Sequence, residues 1–121
     1  MDLNSLSGSA LAYFGDAVFE LLVRERLLER GLTRPKDLNK AALSYVTAAS
    51  QNDAAGRLAS LLTEEETEVF KRGRNASGIS APKSASTADY RRATGLEALF
   101  GWLWLGGRED RARELFEAAF H

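Results

Sequence analysis

The chain has 121 residues, 45% of them hydrophobic, with 16 Lys and Arg against 17 Asp and Glu for a formal net charge of −1. That size predicts one domain spanning 1–121, and the absence of cysteine excludes disulfides and thiolate metal sites, while a single histidine, His121, argues against histidine metal centres and His-dependent triads. No basic segment precedes an apolar N-terminal run, and the apolar stretch around Trp102 is short and carries Glu97, so the composition predicts a cytoplasmic protein with no membrane span.

Strand signals are weak throughout, and helical periodicity predicts five or six helices. The first runs from about Ser7 to Arg30, ends at Gly31, and presents Leu11, Phe14, Val18, Leu21 and Leu22 as its apolar side. Thr33 and Pro35 open a second helical region that reaches about Leu62, with a break near Ser44. Thr63-x-x-Glu66 is a capping box that starts the next helix, which ends near Gly73; the Glu64-Glu65-Glu66 run reads as helix-start charge. Asn75 to Ser86, with Gly78, Pro82 and several serines, reads as a loop. Ser86 or Thr87 caps a helix that carries Glu97 and stops at Gly106-Gly107. Glu109 and Asp110 then open a last helix whose stripe is Ala112, Leu115, Phe116, Ala119 and Phe120.

Two acidic motifs carry the chemistry. Asp16 and Glu20 are four apart and share a helix face with Ser9, Tyr13 and Arg24. Such a stripe suits either a solvated surface, with Glu20 paired to Arg24, or a binding face. Gly15 beside Asp16 implies a close approach, since a mid-helix glycine costs about 0.5–1 kcal/mol against alanine. Glu97 is the sole charge between Thr94 and Leu105. A carboxylate in that setting needs a cation, a strong hydrogen-bond partner or a proton. An arginine such as Arg91 or Arg24 would serve, and so would a divalent ion shared with Asp16. Oxygen ligands from two helices suit Mg²⁺ or Mn²⁺.

Charge is unevenly spread. Residues 71–92 hold Lys71, Arg72, Arg74, Lys83, Arg91 and Arg92 against Asp89, a net of +5, so the remainder of the chain sums to −6. Arg72-Gly73-Arg74-Asn75 at a helix-to-loop junction pairs guanidinium forks with a glycine that admits close backbone approach, a pattern suited to phosphate oxygens; Lys83 and Arg91 extend it. Helix-end cations favoured by the dipole are the alternative reading of Arg72 and Arg74.

Leu11-Ala12-Tyr13-Phe14-Gly15-Asp16-Ala17-Val18-Phe19-Glu20 resembles the signature helix of the ribonuclease III catalytic domain, and Glu97-Ala98-Leu99-Phe100-Gly101 resembles that family's second acidic motif. Thr63-Glu64-Glu65-Glu66, Arg72-Gly73-Arg74-Asn75-Ala76, Pro82-Lys83 and Tyr90-Arg91-x-x-Thr94-Gly95 follow the pattern of its compact Mini branch, in order and over essentially the whole chain. The resemblance implies an all-α, homodimeric endonuclease bundle that cuts double-stranded RNA with a divalent metal, leaving 5′-phosphate and 3′-hydroxyl ends. It implies Asp16 and Glu97 as metal-binding catalytic acids and Glu20 as a supporting acid. Arg72, Arg74, Asn75, Lys83 and Arg91 are the expected RNA contacts. It also implies precursor 23S ribosomal RNA as substrate and leaves open help from a ribosomal protein. The Mini branch lacks an appended double-stranded-RNA-binding domain, and a chain ending at His121 is expected to follow it. Full-length members carry further acids where this chain has Ser9, Ala12 and Thr94; Asp53 is a candidate to compensate. The competing expectation is a non-catalytic RNA-binding or assembly module that kept the fold.

Overall fold

The computed structural model describes residues 1–76 and 86–121. A short 3-10 turn at Leu3–Ser5 leads into α1 (Gly8–Glu29), α2 (Pro35–Val46), α3 (Ala48–Leu58), α4 (Glu64–Arg74), α5 (Thr87–Leu105) and α6 (Glu109–Ala119), and no strand occurs among the described residues. Most of the expected Asn75–Ser86 loop lies outside them.

Local chemistry sets the helix limits. Ser7, Thr47, Thr63 and Ser86 each accept a backbone N–H of the following first turn, and Thr63 with Glu66 completes the capping box. Pro35 opens α2, where its missing N–H costs nothing. Gly31 and Gly107 have positive φ just beyond α1 and α5. The second helical region breaks at Thr47, not Ser44, because the Thr47 backbone is extended and its hydroxyl caps α3.

α5 is the central rod, packed against α1, α3, α4 and α6. Leu96, Ala98, Leu99, Phe100 and Leu103 are fully or almost fully buried on it, which explains a helix that is apolar nearly all round. Phe19 sits edge-on to Phe100, Phe116 and Phe120, and Tyr45 stacks on Phe116 and lies tilted against Phe120, closing the core beneath α2 and α6. The last helix buries the expected stripe. On α1, Phe14 and Leu21 are exposed, contrary to the expected apolar side; the buried face runs instead through Leu11, Ala12, Gly15, Val18, Phe19, Leu22 and Val23. Glu66, expected as helix-start charge, is wholly buried. Arg111 binds both its oxygens at 2.8 and 2.9 Å and Arg108 approaches to 4.0 Å, so its carboxyl is held below its usual range by the Arg111 hydrogen bonds.

The α1–α5 crossing is tight enough to exclude any side chain. A Cβ built on Gly15 would lie 1.6 Å from the Glu97 carbonyl oxygen, and one on Gly101 would lie 2.2 Å from the Leu11 carbonyl oxygen. Backbone therefore meets backbone, and positions 16 and 97, each beside that contact, face one another. Gly15→Ala must push the helices apart, which is expected to lower stability by at least about 3 kcal/mol in denaturant unfolding. A variant as stable as the parent would contradict this crossing.

Candidate catalytic site

Asp16 and Glu20 project from α1, one helical turn apart, Glu97 from the middle of α5, and Gln51 from the first turns of α3. Asp16 is exposed, Glu20 and Glu97 are half-buried, and Gln51 is 4% exposed. Exposure thus falls from Asp16 at the surface to Gln51 beneath.

The Glu97 carboxyl is pushed up to about 8. Burial is the main cause, followed by hydrogen bonding to Asp16 and the Asp16 charge; Gln51 opposes the shift by hydrogen bonding, and the Glu20 charge adds to it. Neither arginine offered by the sequence neutralises Glu97. Arg24 pairs with Glu20 at 3.4 Å, and Arg91 donates to the carbonyls of Arg74 and Ala76. Without a cation, the Glu97 carboxyl holds its proton to about pH 8.

Two carboxylates and a primary amide offer oxygen donors only, the set preferred by hard divalent ions. Among the described residues no three acidic, histidine or cysteine side chains are grouped to hold a metal alone. Asp16 and Glu97 would hold an ion that keeps its other positions for water and substrate oxygens, as Mg²⁺ usually does. The residues fit. Thr94, where fuller relatives of the resembling family carry an acid, is buried and donates its hydroxyl to the Tyr90 carbonyl at 2.9 Å, so it adds no ligand. Asp53 is exposed on α3 beside a surface hollow shared with Asn52 and Arg92, and is not among the groups acting on Glu97. Gln51 takes that place on α3. Its signal in sequence was faint: a polar residue at a position that falls on the buried side of an otherwise alanine-rich helix.

The basic residues have structural work of their own. Arg72 donates to the Leu6 carbonyl at 3.0 Å, tying α4 to the N-terminal turn, and Arg91 clamps the α4 C-terminus at 3.2 and 3.3 Å. Arg74 donates to the Asn75 side chain at 3.1 Å. Lys83 lies outside the described residues.

The domain is all-helical among the described residues, and two of its crossing helices bring an acid each to one place. Residues 9–108 match the Ribonuclease III domain. The Mini-ribonuclease 3 of Symbiobacterium thermophilum is 52% identical over 109 residues, covering 90% of this chain and 84% of that protein. That of Brevibacillus brevis is 44% identical over 119 residues, covering 98% and 89%. A crystal structure of a Fusobacterium nucleatum protein superposes with a TM-score of 0.83 at 32% identity, over 93% of this chain and 91% of that one. The chain belongs to the ribonuclease III family. Among the described residues no helix is long and apolar enough to cross a membrane.

The raised Glu97 pKa makes a stability prediction. Unfolded, the group ionises near 4.5; folded, it holds its proton until about 8. Between those values the folded state binds more protons, so stability falls as pH rises, by up to about 1.4 kcal/mol per pH unit from this group. Glu97→Gln should flatten that dependence and melt above the parent at pH 8 in chelator. If Glu97→Gln melts below the parent at pH 8, the carboxyl is a structural group and the account of its environment fails.

Proposed function

We propose that this chain is a divalent-metal-dependent endoribonuclease that hydrolyses phosphodiester bonds in double-stranded RNA to 5′-phosphate and 3′-hydroxyl ends. The observation that carries this reading is the acid pair formed where α1 and α5 touch at Gly15 and Gly101, inside the segment that matches the Ribonuclease III domain. Mg²⁺ is the ion we assign, with Mn²⁺ as a substitute; bound there, it would activate water and neutralise charge building on the phosphate.

The chain's own groups have separable tasks. Asp16 and Glu97 would hold the ion, and Glu97 would give up its proton to do so. Glu20, one turn beyond Asp16 and within electrostatic reach of Glu97, supports the pair, while Gln51 orients the Glu97 carboxyl through its amide. Arg72, Arg74, Asn75, Lys83 and Arg91 are assigned to the RNA backbone. Arg72 and Arg91 are braced by backbone carbonyls, so their forks stay pre-set for phosphate oxygens. A-form RNA presents shape, phosphates and 2′-hydroxyls, so recognition of this kind follows duplex geometry more than sequence.

A homodimer would set two such sites on one duplex, each cutting one strand. We place the reaction in the cytoplasm, on precursor 23S ribosomal RNA, with a ribosomal protein as a candidate helper. The cysteine-free composition and the bacterial Mini-ribonuclease 3 relatives support that setting. The small number of converging acids among the described residues favours one competing reading, a non-catalytic RNA-binding module.

Digestion of precursor 23S RNA with Mg²⁺, followed by end mapping, separates the two. The parent should give paired cuts with 5′-phosphates, and Asp16→Asn should lower the rate at least about 100-fold, on the order of one lost charge-stabilising contact, while keeping duplex affinity. Intact RNA with the parent protein would leave the non-catalytic module standing.

A further inference from the structure

We propose that a cavity of about 370 Å³ between the C-terminal ends of α1, α2, α3 and α6 is a second phosphate-binding site, formed by Arg30 and Arg57. Its walls include Ser44, Tyr45, Phe120 and His121, and no acidic side chain lines it. Both arginines are oriented by neutral groups. Arg30 Nη1 donates to the Tyr45 hydroxyl at 3.2 Å, and Arg57 Nε donates to the Ala119 carbonyl at 2.7 Å with its guanidinium over the Phe120 ring. These contacts leave further N–H groups on each fork.

Around α6, charge balance separates this pair from its arginine neighbours. Those neighbours have carboxylates: Arg26 with Glu117, Arg108 and Arg111 with Glu66, and Arg113 with Glu25 and Glu109. Among the described residues neither Arg30 nor Arg57 lies within 4.0 Å of a carboxylate, the terminal one included. Each arginine lies at a helix C-terminus, Arg30 on α1 and Arg57 on α3, where the dipole favours a cation, but the dipoles do not account for both converging on one hollow. Two uncompensated guanidinium groups, the buried Tyr45 side chain with its hydroxyl and the Ser44 hydroxyl in one hollow suit a tetrahedral oxyanion. Arg30 follows Asp16 by fourteen residues, about 21 Å along the α1 axis. The cavity is therefore separate from the cleavage acids and within the span of a duplex bound to them.

The phosphate can belong to the RNA backbone, which rests on the nuclease reading, or to a free phosphate or nucleotide, which does not. The test follows the Arg30 and Arg57 side-chain Nε–H resonances of the whole protein in chelator, titrated first with inorganic phosphate and then with a short blunt RNA duplex. Saturable shifts of both resonances with inorganic phosphate are expected. The Arg30→Gln/Arg57→Gln protein should then lose roughly tenfold in duplex affinity and have a salt slope shallower by up to about 2 if the RNA backbone is the source. Phosphate-induced shifts with unchanged duplex affinity in that variant support the site and assign it to free phosphate or nucleotide. No saturable shift of either resonance in the unmodified protein overturns the proposal, whether or not the double variant folds. Cleavage of RNA without those shifts would sink this site alone, and shifts without cleavage would sink the nuclease reading alone.

Discussion

The contact of Gly15 with Gly101 is the constraint from which the rest of the structure follows. With no Cβ on either residue, the α1 and α5 backbones meet directly, and a methyl on α1 would overlap the Glu97 carbonyl. Mid-helix glycines cost about 0.5–1 kcal/mol each against alanine. What they gain is geometric. Side chains beside such a crossing start close together, so short Asp16 and longer Glu97 can reach one point from different helices. At this point of α5, the Asp16 carboxyl from α1 acts on Glu97 directly.

Two glutamates, one wholly buried and one half-buried, show how the fold separates structural from chemical charge. Glu66 is wholly enclosed, takes two hydrogen bonds from Arg111 and one from the Thr63 backbone, and is held ionised. It ties the start of α4 to α6, with its desolvation cost offset by those partners. Glu97 has the opposite surroundings: burial, the carboxylates of Asp16 and Glu20, and a single amide in its favour. The fold thus satisfies one glutamate fully and leaves the other facing like charge, the setting on which the proposed metal site rests. The same contrast separates the paired arginines of α6 from Arg30 and Arg57.

Much of this was legible in the sequence. Caps, glycine stops and 3.6-residue periodicity place the helices to within a few residues, since those signals act locally. Gly15 and the lone Glu97 announce a close approach and an unusual carboxylate for equally local reasons. Burial on the flanks of helices was harder to see. Phe14 and Leu21 fit an amphipathic pattern yet stay exposed, because α5 meets α1 on the Gly15–Phe19 side. Glu66 looked like dipole charge, since its partners Arg108 and Arg111 are more than forty residues away. Gln51, not Asp53, reaches Glu97, and nothing in local spacing distinguishes them; the rotation of α3 against α5 decides it.

The most direct test of the central claim, that positions 16 and 97 share one hard ion, is a count of protons released when Mg²⁺ binds. Calorimetric titration in buffers of different ionisation enthalpy gives that number. With Glu97 ionising at about 8 in the free protein, binding at pH 7 should release close to one proton per ion, fading toward none above pH 9. Binding without proton release at pH 7, or Mg²⁺ affinity unchanged in both Asp16→Asn and Glu97→Gln, would contradict the account.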